Sequence, residues 1–92
     1  MDMFVFTGLI WREKTGFSAL CPELDVASQG RTRKEAQEKL LEAAALHLEG
    51  SFEGGLPYSR PVPAAEDPRN SLPAEEVKVF KFKVDVAIKA YA

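Results

Sequence analysis

The sequence predicts an α+β fold: a small β-β-β-α-β sandwich, with one helix packed on a face of a three- to four-stranded, mainly antiparallel sheet. Three observations predict it. Short apolar stretches separated by Gly- and Pro-marked turns fill the chain up to Gly30. A capped segment with helical spacing follows, and the chain closes on a long run that alternates apolar and polar residues.

Met3 to Glu13 is rich in aromatic and β-branched residues (Phe4, Val5, Phe6, Ile10, Trp11) and reads as a first strand, buried on part of both faces. Lys14-Thr15-Gly16 makes a hairpin-like turn. Phe17 to Cys21 is a second strand, ended by Pro22, which has no N–H to give to a ladder. Asp25 to Gln29 is a third, and Gly30 lets the chain turn sharply.

The helix begins at Thr32, an N-cap with Glu35 three residues on, the spacing of a capping box. Ala36, Leu40, Ala43, Ala44, His47 and Leu48 mark its inner face. Leu41 and Leu46 widen that face toward a partner. Glu35 and Lys39 form an i,i+4 pair in the favourable order. Gly50 stands where a left-handed residue would end the helix.

Ser51 to Glu76 holds five of the six prolines (Pro57, Pro61, Pro63, Pro68, Pro73) and the pair Gly54-Gly55. It reads as an irregular connector that either wraps the surface or is mobile. From Val77 to Tyr91, Phe80, Phe82, Val84, Val86 and Ile88 alternate with Lys81, Lys83, Asp85, Ala87 and Lys89, the period of a strand with one apolar face. Val77 and Val79 are out of phase, which predicts a bulge or a strand start near Val79–Phe80. At this length the strand's far end would overhang the sheet and pair with another subunit. Residues 1–92 thus read as a single domain, with a core at 3–50, a connector at 51–76 and a final strand at 77–91.

Composition narrows the function. The 92 residues bury roughly 60–65% of their unfolded surface, a thin core that oligomerisation would help. Twelve basic and fourteen acidic residues give a net charge of −2, against a protein that holds nucleic acid through overall charge. A mildly acidic protein suits a basic partner. The single cysteine, Cys21, allows no intrachain disulfide and fits a reducing cytoplasm. The apolar N-terminus lacks a basic lead and a cleavage site, so it reads as no secretion signal, and no run approaches a membrane span.

No set of residues assembles into a catalytic, cofactor or metal site, so the expectation is a binding protein and not an enzyme. His47, the one histidine, has no Cys/His/Asp set near it in sequence and reads as a packing or interface residue. Cys21, before a proline at a strand end, reads as structural. Glu23 and Asp25 fall in an exposed connection between strands. Gly30 and Gly50 form no phosphate loop. Arg31, Arg33 and Lys34 at the helix start oppose the helix dipole, and read as a solvated face or a ligand contact. Lys81, Lys83 and Lys89 share the polar face of the last strand. They read as guards of a long edge, with a basic stripe for nucleic acid as the alternative.

The segments Gly16-Phe17-Ser18-Ala19, Cys21-Pro22-Glu23-Leu24, Ser28-Gln29-Gly30-Arg31-Thr32 and Glu35-Ala36, followed by the leucine-rich helix through Leu48-Glu49, resemble the HicB-like family, the antitoxins of HicA/HicB toxin–antitoxin systems. Members look like G-[YF]-x-A, C-P-[DE]-L, [ST]-x-G-x-T and E-A in that order. The likeness covers about residues 4–50, with Pro61-Val62-Pro63 similar to a short proline motif of the family. It implies a truncated ribonuclease-H-like fold that assembles as a dimer or larger oligomer. The residues that carry it (Gly16, Pro22, Gly30, Thr32, Glu35, Ala36) have structural roles. Many members continue into a helical or ribbon–helix–helix DNA-binding domain, whereas this sequence ends at Ala92, so only the toxin-neutralising half carries over. The resemblance implies a cytoplasmic protein-binding module that occludes a small, basic, RNA-cleaving toxin. Contacts are expected through Glu38, Glu42 and Glu49, beside Leu41 and Leu46, and along the last strand with Lys81, Lys83 and Lys89. The alternatives are an orphan structural or regulatory homo-oligomer, dimer or tetramer, and a weak nucleic-acid binder through the lysine face.

Overall fold

The computed structural model describes residues 3–85 and 90–91. Four full strands, β1 (Met3–Glu13), β2 (Gly16–Cys21), β3 (Val26–Gly30) and β4 (Val77–Asp85), form an antiparallel sheet with one α-helix, α1 (Arg33–Gly54), on one face. A two-residue strand, β5 (Ala90–Tyr91), extends it, giving the order β3-β2-β1-β4-β5. The expected α+β class is the observed one.

Alternation decides the two faces. From β1, Phe6 and Ile10 point to α1 with Ala19, Cys21, Phe82 and Val84. They pack on Leu24 and on Ala36, Leu40, Ala44 and Leu48 of the helix, all buried. Each large side chain buried there contributes about 1.5–3 kcal/mol. On the other face Leu9, Leu20 and Val77 are buried under Val62 and Leu72 of the connector, beside Trp11. Val77 therefore serves the second face, and Val79 points to the same side but stays exposed. The β1–β4 register runs unbroken from Met3↔Asp85 to Trp11↔Val77, so the expected bulge is absent.

The direction of β4 sets the connector's length. β3 runs parallel to β1, and α1 carries the chain back toward the end where β1 begins. β4 starts opposite Trp11, at the far end of β1. The connector must therefore travel the length of the sheet. It leaves α1 with Tyr58 edge-on to Phe4, Phe6 and Phe52. It is pinned where Arg60 N–H donates to Glu23 O (3.0 Å) and Val62 N–H to Pro22 O (2.8 Å). Single 3-10 turns (Ala64–Glu66, Pro68–Asn70, Ala74–Glu76) then lead into β4. Of the two readings of this segment, the wrapped one holds.

Local signals explain the ends of α1. The Glu35 N–H donates to Thr32 Oγ1 (3.0 Å), and Glu35 reaches back to the Arg31 N–H (3.3 Å). Gly30 is required because a Cβ there would lie 2.5 Å from Ala36 N, and one on Gly16 would lie 2.5 Å from Gly30 O. The helix does not stop at Gly50. It continues a further turn to Gly54, buries Ser51, and ends on Gly55, which is left-handed. Phe52 packing against Phe4 and Tyr58 stabilises that last turn.

Two further expectations change. The third strand begins one residue later, because Asp25 takes a left-handed φ of 50° in the turn. The stretch from 77 to 91 is no single overhanging strand, since Ala90–Tyr91 folds back antiparallel on Lys83–Val84. Val86, Ala87, Ile88 and Lys89 lie outside the described residues. Leu41 is half-buried, packed against the helix-side core.

Two glycine-to-alanine changes separate these effects. A Cβ at Gly50 meets nothing within 4 Å, so Gly50→Ala raises stability by about 0.5–1 kcal/mol. A Cβ at Gly8 would lie 2.1 Å from Cζ of Phe80, whose ring covers it across the strands, so Gly8→Ala costs about 1–3 kcal/mol. Chemical denaturation of the two variants reads both signs.

Candidate functional site

The Pro22-Glu23 turn is the most connected polar point of the molecule. β2 pairs with β1 only as far as Leu9↔Leu20, and beyond it no strand among the described residues lies beside that edge of β1. Glu23 stands in for one. The Thr7 N–H donates to its two carboxylate oxygens at 3.0 and 3.2 Å, and the Thr7 hydroxyl donates to Oε2 at 2.7 Å. Lys81 Nζ donates to Thr7 Oγ1 at 2.7 Å. Burial alone would push the Glu23 carboxyl up, but the Thr7 hydroxyl and N–H outweigh it and hold the group below its ordinary range. Glu23 is thus a structural acceptor and not part of an exposed connection.

Cys21 beside it is fully buried, and its thiol donates to Glu23 Oε1 (3.6 Å). Burial and the adjacent carboxylate push that thiol up to about 12, far from a nucleophile's range. His47 is half-buried with Nε2 2.8 Å from Tyr58 O, a link between α1 and the connector. Asp67 caps a 3-10 turn and takes a bidentate contact from Arg69, which holds its carboxyl down. No group of three or more His, Cys, Asp or Glu that could hold a metal ion occurs among the described residues.

What remains is surface, and α1 presents a long exposed side of it. Glu38, Glu42 and Glu49 are exposed on its outer side. At 100° per residue they fall within one narrow arc, and Glu53 joins them. Sequence reasoning missed Glu53 because Gly50 read as the stop. None of the four has an ion pair among the described residues; the helix's one pair there is Lys39–Glu35 (3.4 Å). The ridge opposes the stability of its own helix. Glu38–Glu42 and Glu49–Glu53 are like-charge i,i+4 pairs, and the last turn has no basic residue to meet the dipole. Leu46, 61% exposed, lies beside the ridge, in one hollow with Lys39 and Glu42 and in another with Leu56 and Arg60.

The helix start carries the opposite sign. The guanidinium carbons of Arg12 and Arg33 lie 5.9 and 5.4 Å from the Phe17 ring centre, and Arg31 and Lys34 are exposed nearby. Lys81 and Lys83 are exposed on the face away from α1, with Lys81 tied to Thr7. β4 is flanked by β1 and, at Lys83–Val84, by β5, so it is not the free last strand that the sequence suggested. Lys89 lies outside the described residues. No helix among the described residues is long and apolar enough to cross a membrane.

No family model matches the chain, and no curated protein matches it. Among solved structures, it is similar to a chain of one described as "HicA3 and HicB3 toxin-antitoxin complex", with a TM-score of 0.59 and 24% sequence identity over 85% of this chain and 94% of that one. At that identity the likeness shows a shared fold.

Two outcomes follow from the Glu23 turn. The native carboxyl titrates below its unfolded value, so its stabilisation is full above about pH 5 and is lost as pH falls through the native value. Glu23→Gln should cost about 1 kcal/mol at neutral pH, the lower end for a charged acceptor because the group is only half-buried, and should flatten the acid side of the stability profile. Cys21 should resist a thiol reagent at pH 8 in the native protein and react at once in denaturant, as absorbance of the released thiolate reports.

Proposed function

We propose that this chain is a protein-binding module of the antitoxin kind, which neutralises a small, basic, RNA-cleaving toxin in the cytoplasm by covering it. The observation that carries the reading is the ridge of Glu38, Glu42, Glu49 and Glu53, an exposed and unpaired acidic surface that costs its own helix stability. A basic partner would relieve that repulsion, steer quickly to the surface and be held there. The fold shared with a chain of the HicA3 and HicB3 toxin–antitoxin complex supports the same class of partner. The module acts by steric and electrostatic occlusion, without chemistry of its own. A lysine-face nucleic-acid binder is less favoured, since Lys81 is occupied by Thr7.

The test pairs affinity capture of the tagged protein from its native cell extract with charge reversal on the ridge. A stoichiometric small basic protein that shows ribonuclease activity once released is the expected companion. Glu49→Lys with Glu53→Lys should raise the melting temperature, by about 0.3–1 kcal/mol in stability, and weaken capture about tenfold. Failure to recover any basic protein, or capture unchanged in the stabilised variant, would contradict the proposal.

A further inference from the structure

We infer that β3 is a self-association edge, through which two copies join antiparallel into one continuous sheet. The two sides of the sheet are not equally guarded. The outer edge of β4 ahead of its pairing with β5 carries the exposed Lys78 and Lys81, the kind of charge that keeps an edge from pairing. β3, Val-Ala-Ser-Gln-Gly, carries no charge and no proline, and among the described residues no strand pairs with its outer side.

The edge is self-complementary in one register. Antiparallel pairing about a two-fold axis at Ser28 sets Ser28 opposite its own copy and Ala27 opposite Gln29 of the second chain. It sets Gly30, without a side chain, opposite Val26. One residue further out, Asp25 falls opposite Arg31 at both ends. Both are exposed, and neither has an ion pair among the described residues. The same strand that opposes no like charges thus brings two opposite charges together twice, which is why a second copy fits better than an unrelated strand.

The neighbouring surface continues the edge. Lys39 of α1 lines a hollow with Gln29 and Gly30 at one end of β3. Arg60 donates to Asp25 O (3.2 Å) at the other end, and lines a second hollow with Leu46, His47, Leu56 and Pro57. The α1 flank with Leu46 therefore runs along the outer side of β3. Leu46 and Leu56, the two most exposed large apolar side chains among the described residues, are 61% and 65% exposed there. A five-residue strand pair, only about 17 Å long, is too small by itself to bury the ~800 Å² per partner that a stable interface needs. A two-fold axis perpendicular to the sheet keeps both helices on one face, so this flank supplies the remainder.

Light scattering with sedimentation on the purified chain tests it, independently of any toxin. Wild type is expected to be a dimer at micromolar concentration. Ala27→Lys with Gln29→Lys sets lysine against lysine twice and should halve the mass, with circular dichroism unchanged because both positions are exposed. Ala27→Lys with Gln29→Glu sets lysine against glutamate in the same register and should restore the dimer. A monomeric wild type, a double-lysine variant as large as wild type, or a lysine–glutamate variant that stays monomeric would each overturn the proposal. Because the acidic ridge is untouched, loss of the dimer with toxin capture intact separates this inference from the proposed function.

Discussion

The Glu23 carboxylate replaces a missing strand, and much of the architecture hangs on that substitution. Where β2 ends at Pro22, β1 would present bare N–H groups to solvent or to a partner. Instead Thr7 donates twice from its N–H and once from its hydroxyl to one side chain. The backbone of the same turn accepts from Arg60 and Val62, so it also fastens the connector. One dipeptide therefore closes the β1 edge, ends β2 and steers the chain round to the second face. There Val62 and Leu72 cover Leu9, Leu20 and Val77.

With those groups committed, the molecule's free chemistry is confined to its surface. The buried thiol of Cys21 is held far above the range of a nucleophile, and the ring of His47 ties α1 to Tyr58. Two features are left without a structural purpose. One is the acidic ridge on α1, arranged against its own dipole. The other is a neutral, unguarded β3. The ridge stands on the outer side of α1, next to the Leu46 flank that adjoins β3, so a module of this shape can pair through its strand edge and still present the ridge to a basic partner.

What the sequence made legible was what short-range chemistry controls. The Thr32–Glu35 cap, the close approach of Gly30 to Ala36 and the apolar face of α1 are set by neighbours a few residues apart. The misreadings share a cause in long-range packing. Gly50 looked like a stop, but Phe52 finds Phe4 and Tyr58, and that contact carries the helix on. Val77 looked out of phase because the second face's cover, Val62 and Leu72, comes from a proline-rich stretch with no periodicity to announce it. Glu23 looked exposed because its partner Thr7 stands sixteen residues away on another strand. The acidic ridge was visible up to Glu49 and lost Glu53 with the helix end.

The most direct test is amide hydrogen exchange at Thr7, Arg60 and Val62 in the native protein. If the Glu23 turn organises the fold, these three amides open only with the β1–β4 core and share its protection. If Arg60 and Val62 exchange far faster than that core, the connector is a separate, mobile strap. The second face would then be open, and the account of which surfaces remain free would be wrong.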